Sequence, residues 1–283
     1  MRVMITDGVA TVVMDNPPTN LVDGTLIAGL AQMMDALEPD RDVRAAVFAS
    51  ADLDFWLMHG DVRMMLTGDH SGQAVAPNFA ARLFERVHSA RIFTVAALDG
   101  AARGGGAEFA AALDMRIGTG RTVIGQPEVA MGILPGATGS ARLPRLIGRS
   151  RALELILTGR DLTAGEALDA GWLDRVVDGA SLMDEAEALA HRVASMPTAS
   201  IAAVKRVVDT SLGSLDAALV AESTELASLL GAGAHRQPMQ AFLDAGGQTR
   251  GAESSAFPSL VDRMLYGPTG FAPDRPEGGQ SRP

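Results

Sequence analysis

Val95-Ala96-Ala97-Leu98-Asp99-Gly100-Ala101-Ala102-Arg103-Gly104-Gly105-Gly106-Ala107-Glu108-Phe109-Ala110-Ala111-Ala112-Leu113-Asp114 reads as an apolar strand, a turn, three glycines and an alanine-rich helix that carries one carboxylate. Three successive glycines remove every Cβ, so the backbone can approach a ligand closely. The start of the next helix leaves backbone N–H groups without intrahelical partners. Those donors, with the positive end of the helix dipole, suit a negative charge or a developing oxyanion. Glu108 follows within about one helical turn, at roughly 1.5 Å rise per residue. The stretch therefore combines a candidate anion site with a neighbouring carboxylate.

The rest of the composition narrows the setting. With 283 residues, 47% of them hydrophobic, the chain can bury one large core with an appendage. A formal net charge of -10 argues against nucleic acid as the partner. Cysteine is absent, which excludes disulfides and thiolate metal sites. The five histidines (59, 70, 88, 191 and 235) show no metal-ligand spacing. Met1-Arg2-Val3-Met4-Ile5-Thr6-Asp7 is too short an apolar run for a signal peptide, and no window approaches the roughly 18 apolar residues of a membrane helix. A soluble cytoplasmic protein without membrane contact is expected.

Along the chain, residues 1–6 and 9–15 flank Asp7-Gly8, a hairpin signal. Asn16-Pro17-Pro18-Thr19-Asn20 breaks the second strand. Leu26, Leu30, Met33, Met34 and Leu37 recur at helical spacing, with Asp23 as N-cap. A strand over 45–50, a loop over 51–58 and a helix starting near Gly60-Asp61 follow. Residues 67–78 are polar and Gly-rich and read as mobile. A helix over 78–90 feeds the strand at 92–98. Strands are predicted over 115–119, 121–124 and 172–177. Helices are predicted over 140–147, 150–158, 163–170, 181–195, 198–211, 214–230 and 235–245. The pattern is α/β, with strand–helix alternation giving way to helices in the last third.

Two carboxylates stand out. Glu108 lies beside the glycines, and Glu128 sits in the turn Gly125-Gln126-Pro127-Glu128 ahead of a second glycine-dense loop, residues 131–140. Carboxylates in a largely apolar pocket have raised pKa values, and two of them can divide acid and base roles. Read singly, Glu108 also fits a solvated helix face and Glu128 a turn role. The glycine run lacks the GxGxxG spacing, no Lys-Ser/Thr follows it as in a P-loop, and Ser140 is not in a GxSxG elbow. Its other reading is tight helix–strand packing.

Residues 95–114, Gly125-Gln126-Pro127-Glu128, the run from Gly132 to Gly148, Leu157-Thr158-Gly159-Arg160, Ala164-Gly165-Glu166-Ala167 and Ala170 to Val177 together resemble the enoyl-CoA hydratase/isomerase (crotonase) superfamily. The resemblance spans roughly residues 8 to 245. It implies a spiral of β-β-α turns over residues 1–197 and helices used for oligomerisation over 198–266; the Pro-, Gly- and polar-rich run over 267–283 reads from its composition as a disordered tail. It further implies acyl-CoA thioester substrates, coenzyme A entering as part of the substrate with no prosthetic group, and homotrimers or hexamers built as dimers of trimers. An enolate-like intermediate would be held by the N–H groups of Gly60 and Gly105. Glu108 would activate water, Glu128 would exchange the proton at the α-carbon, and Gly136 would help place the water. Two glutamates favour hydration of a 2-enoyl-CoA over isomerisation or other enolate chemistry. A non-catalytic thioester-binding member is the remaining alternative.

One segment departs from the family pattern. Met58-His59 stands where Ala-Gly is usual before Gly60-Asp61, which brings Met58, His59 and Asp61 into consideration as substrate contacts. His59 is read first as a residue tolerating a glycine-like backbone. Asp61 is read as a helix cap. Arg103 is read as a surface residue, and Lys205 and Arg206 as weak candidates for phosphate contact.

Overall fold

Asp7 and Gly8 adopt φ of 48° and 81°, the left-handed pair that a tight hairpin turn demands. They join β1 (Arg2–Thr6) to β2 (Val9–Met14) as antiparallel neighbours, with Val3 opposite Val12. The structure, a computed structural model, describes residues 1–68, 76–196, 198–211, 213, 215–233, 235–255, 257 and 259–260. After the hairpin come α1 (Gly24–Leu37), β3 (Ala45–Ser50), β4 (Phe55–Leu57), α2 (Val62–Thr67) and α3 (Phe79–Ser89). Next are β5 (Phe93–Leu98), β6 (Ala101–Arg103), α4 (Gly105–Ala112), β7 (Met115–Thr119), β8 (Val123–Gly125) and a 3-10 turn, Glu128–Met131. The chain continues with α5 (Gly139–Ile147), α6 (Arg149–Thr158), β9 (Asp161–Thr163), α7 (Ala164–Ala170), β10 (Arg175–Val177) and α8 (Leu182–Ala194). Then come α9 (Thr198–Ser211), α10 (Leu215–Ala232), α11 (Arg236–Asp244) and α12 (Arg250–Ser255).

The strands form two sheets, ordered β1-β2-β3-β5-β7-β10 and β4-β6-β8-β9. β3, β5 and β7 enter the first sheet, and the strands that follow them, β4, β6 and β8, enter the second. Each turn thus lays one strand in each sheet before helical chain closes it, which is the β-β-α spiral implied by the sequence. Pairing is parallel except at the ends, where β1 and β9 run antiparallel to their neighbours.

Alternation along the six-stranded sheet buries both faces. Ala45, Val47, Val95 and Ala97 meet Leu182, Ala186, Ala190 and Ala194 of α8. Ala46, Phe48, Ala96 and Leu98 face the main core. There Phe109 of α4 gathers Phe48 at 5.3 Å, Phe84 at 5.1 Å and Trp56 at 6.1 Å between ring centroids. A separate cluster joins Phe55, Met58, Val62 and Ala101 to Leu230, Met239, Phe242, Phe257 and Leu260. The C-terminal helices therefore fold back on their own core, and that brings α10, α11 and α12 to the site described below.

The caps expected at Asp23 and Asp61 are in place. Asp23 Oδ1 accepts from Leu26 N at 2.9 Å and Asp61 Oδ1 from Arg63 N at 2.9 Å, and Asn78 Oδ1 adds a third cap by accepting from Ala81 N at 2.9 Å. The corrections are short elements. The 51–58 segment, expected as a loop, contains β4, and Ala101–Arg103, expected as a turn, is β6. Three residues carry too little alternation to register as a strand. The last predicted strand starts at Arg175, because Trp172 and Leu173 spend their amides on Ala167 O at the end of α7. β9 and α12 were not anticipated. The predicted mobile segment lies mostly outside the described residues, as does the predicted tail 267–283. Among the described residues no helix is long and apolar enough to cross a membrane.

Candidate active site

Gly104 closes β6 and opens α4 with φ of 52°. A Cβ there would lie 2.7 Å from Oε1 of Glu128 and 2.8 Å from Cβ of His59, so the position is reserved for glycine by conformation and by space. Gly104 N–H donates to Gly125 O at 2.9 Å, and Gly106 N–H to Met58 O at 3.0 Å. A Cβ at Gly106 would run into Leu57 O. The triplet is thus wedged between the 57–60 segment on one side and Gly125 and Glu128 on the other.

Two amides remain. Gly105 is the first helical residue of α4, where no intrahelical acceptor exists. Gly60 lies opposite, 3.5 Å from the position of a Cβ at Gly105. Among the described residues neither N–H has an acceptor. The Gly60 amide is aimed by its own peptide: His59 O accepts from Val22 N at 3.1 Å, and in a trans peptide the N–H points the opposite way. Both glycines line a cavity of about 450 Å³.

Glu108 and Glu128 line the same cavity. Glu108 is 3% exposed, and its Oε1 accepts from Ala137 N at 2.8 Å and Gly139 N at 2.7 Å. These amides flank Thr138, whose φ of 110° turns them toward one point. Gly139 begins α5, which has no side-chain cap of its own, so the carboxylate of α4 caps α5. The Gly136–Ala137 peptide is held at both ends, since Gly136 O accepts from Asn78 Nδ2 at 2.6 Å. Burial pushes the Glu108 carboxyl up to about 7, against the two amide hydrogen bonds, which lower it. Oε2 has no partner among the described residues. Glu128 is 6% exposed at the start of the 3-10 turn, and Ile133 N donates to its carbonyl at 3.2 Å.

The remaining walls are mainly apolar, with Val22, Ile27, Met64, Met65, Phe79, Met131, Ile133, Leu226, Leu230 and Met239, and Asp23 and Asn78 add polar groups. Of the sequence candidates, Gly60, Gly105, Glu108, Glu128, Gly136, His59 and Asp61 all line this cavity. Met58 does not; it is fully buried in the cluster below. Asp61 caps α2 and also accepts from Gln248 Nε2 at 3.1 Å.

Three expectations are corrected. His59 is not in a left-handed conformation. Its ring is buried, with Nε2 2.9 Å from Oε1 of Glu253 and Nδ1 2.9 Å from Gly60 O. Burial draws the imidazole pKa down, but the charge and hydrogen bond of Glu253 carry it above its ordinary value overall. Arg103 is buried rather than on the surface. It is paired with Asp161 Oδ2 at 2.7 Å and lies 4.2 Å over the Phe257 ring. Lys205 Nζ is engaged by Asp114 Oδ2 at 2.7 Å and Ile92 O at 2.9 Å, so it braces α9 against the core. Glu253, Asn78 and Leu226 were not singled out in the sequence; each reaches the site from far along the chain.

Known proteins resemble this chain over nearly its whole length. The family model described as enoyl-CoA hydratase/isomerase matches residues 4–248. A structure from Streptomyces avermitilis described as a candidate enoyl-CoA hydratase is 33% identical with a TM-score of 0.84, covering 92% of this chain and 96% of that one. The carnitinyl-CoA hydratase of Mycobacterium avium is 28% identical with a TM-score of 0.76, covering 86% and 95%. The fatty acid oxidation complex subunit alpha of Idiomarina loihiensis is 36% identical over 188 residues. That is 64% of this chain but 26% of the relative, so the chain spans about a quarter of that protein's length. With that family model matched over residues 4–248 and the fold shared with those structures, the chain belongs to the enoyl-CoA hydratase/isomerase family.

Proposed function

We propose that this protein is an enoyl-CoA hydratase that adds water across the double bond of a 2-enoyl-CoA thioester. The observation that carries the reading is the convergence, on one apolar cavity, of two acceptor-free amides and two buried carboxylates. The thioester oxygen sits between Gly60 N–H and Gly105 N–H. Glu108, with a pKa of about 7, takes a proton from water as the water oxygen bonds to the β-carbon. The π electrons of the C2–C3 bond move toward the thioester and charge its oxygen, which the two amides stabilise. Glu128 delivers a proton to the α-carbon, and the enolate collapses to the 3-hydroxyacyl thioester. Gly136 helps place the water. Preorganised donors of this kind are worth about 3–4 kcal/mol each in the transition state.

Isomerisation needs one carboxylate to carry a proton between carbons, so a second carboxylate on the cavity wall favours hydration. The reading also carries assembly into trimers, or hexamers of paired trimers, supported by the exposed apolar face of α9 at Val204, Val207 and Val208. The deciding experiment is product analysis with 2-enoyl-CoA and 3-enoyl-CoA thioesters of several chain lengths. Net 3-hydroxyacyl-CoA from the first is the expected result. Conversion of 3-enoyl to 2-enoyl-CoA without hydration would replace the hydratase reading with the isomerase one. Acyl-CoA binding without turnover of either would replace it with a binding protein.

A further inference from the structure

His59 and Glu253 meet across 194 residues of chain in a buried contact that the reaction above does not use. The His59–Gly60 peptide is pinned at its C=O end by Val22 N. The next peptide is pinned at its C=O end by the His59 ring, through Nδ1 at 2.9 Å from Gly60 O. The two bonds together fix ψ and φ on both sides of a glycine, the residue whose backbone is otherwise freest. The Gly60 N–H lies between them.

The ring is itself held. Nε2 faces Oε1 of Glu253, which also accepts Gln248 N at 2.8 Å. The ring packs against Phe242, edge to face at 5.4 Å between centroids, and against a tilted Phe257 at 6.2 Å. Both ring nitrogens face oxygen acceptors, one a carbonyl and one a carboxylate. Neutral imidazole has only one N–H, so the pair must hold one proton beyond neutral imidazole and carboxylate. Other charges face this contact. Arg103 of β6 opposes the imidazolium and reaches Glu253 O at 3.5 Å. Glu128 approaches from the 3-10 turn across Gly104, and Asp61 and Arg63 from α2 bond Gln248. On α12, Arg250 turns away toward Asp52 and Asp54.

We propose that His59 is a positioning residue for the Gly60 donor, and that Glu253 holds it in place, so that docking of α12 on the core sets the geometry of the amide pair. The proposal rests on the reading that Gly60 N–H receives the thioester oxygen. The link makes the C-terminal segment part of the catalytic wall without touching substrate. It also gives Met58-His59 a purpose in this chain: the imidazole replaces a missing side chain with a clamp on the following glycine.

The test uses the full-length protein with Glu253→Ala and Glu253→Gln. Each variant is followed by amide hydrogen exchange over residues 55–66 and 246–255, and by kcat and KM on a 2-enoyl-CoA across pH 6–10. In Glu253→Ala, exchange protection falls in both segments, and kcat drops roughly 10–100-fold while KM moves less than about threefold, a fraction of what losing a donor outright costs. In Glu253→Gln the carboxamide nitrogen donates to a neutral ring that still donates to Gly60 O, and the carboxamide oxygen turns to accept Gln248 N, so kcat at neutral pH returns to within about fivefold. The alkaline fall of the parent enzyme, set by loss of the shared proton, is absent from this variant. Wild-type kcat in Glu253→Ala would overturn the proposal, as would a kcat loss that glutamine fails to restore. If no thioester is turned over even by the parent, the hydratase reading fails separately. The clamp is then judged on exchange alone, and loosening confined to 246–255 overturns it. Should Glu253→Ala not fold, the missing alkaline limb in Glu253→Gln decides.

Discussion

Gly139 donates its backbone N–H to Oε1 of Glu108 across 2.7 Å, and it comes that close because it has no side chain. A Cβ at Gly139 would stand 2.9 Å from the same oxygen and 2.8 Å from Cβ of Pro135. Neither neighbour can yield without moving the carboxylate or the loop that holds it. Gly139→Ala is therefore expected to cost about 1–3 kcal/mol of stability, the usual penalty for overpacking. It is also expected to lower kcat for hydration by roughly 10–100-fold, since small misplacements of a reacting group cost about that much. Thermal unfolding and steady-state kinetics measure both, and parent-like kcat in a folded Gly139→Ala protein would separate Glu108 from the chemistry.

Glu108 exposes a conflict between stability and function. Its folded pKa of about 7 lies above the ordinary glutamate value of 4.5, because burial penalises the charged form. Below the unfolded pKa the group is protonated in both states and no penalty exists. As pH rises through about 7, the folded protein loses stability by on the order of 3 kcal/mol from this residue. Glu108→Gln keeps an oxygen for Ala137 N and Gly139 N and removes the charge. The variant is expected to be more stable than the parent at pH 8 and not at pH 5, while hydration falls by roughly 10²–10⁴-fold. Urea titrations at the two pH values give the comparison, and equal stability gains at both would refute the buried-charge account. In the parent, kcat/KM is expected to fall below pH 7 as Glu108 takes up its proton.

The parts of this fold that were legible in the sequence are those written in neighbouring residues. Asp23 and Asp61 signalled their helices because a cap reaches only two or three residues along the chain. β3 and β5 announced themselves as apolar runs because both of their faces are buried. Glycine spacing located Gly105, Glu108 and Glu128 because the family motif is local. The three-residue strands β4, β6 and β9 stayed hidden, since their identity comes from pairing across the second sheet, β4 with β6 and both β6 and β9 with β8. Arg103 looked superficial because Asp161 and Phe257, which bury it, are remote in sequence. His59 was explained by its backbone alone because Glu253 carries no signal pointing to it.

Asn78 offers a cleaner separation of cap from site. Its Oδ1 caps α3 and its Nδ2 holds Gly136 O, the far end of the peptide whose N–H meets Glu108. Asn78→Ala loses both roles and is expected to cost about 0.5–2 kcal/mol of stability along with activity. Asn78→Asp keeps the capping oxygen and loses the donor. It is expected to unfold within about 0.5 kcal/mol of the parent yet to lose roughly tenfold or more in kcat. Calorimetry with kinetics on the two variants tests this, and an Asn78→Asp enzyme as active as the parent would show that Gly136–Ala137 needs no external hold.

If an acyl-CoA is the substrate, Leu226 stands on the cavity wall expected to limit acyl length. It reaches from α10 to pack against Gly136, where a Cβ would run into its methyl groups, and it lines the cavity beside Leu230 and Ile133. Every residue on this wall is aliphatic, so an acyl chain is recognised by area removed from water, at about 0.8 kcal/mol per methylene. Leu226→Ala opens room for roughly two to three further carbons. The ratio of kcat/KM for an eight-carbon over a four-carbon 2-enoyl-CoA is then expected to rise by roughly tenfold, from about 1.5 kcal/mol of new burial. The four-carbon substrate keeps its contacts with the amide pair and the carboxylates, so its kcat stays within a fewfold of the parent. A chain-length series on parent and variant reads the ratio directly, and an unmoved ratio would place the acyl group along a different wall.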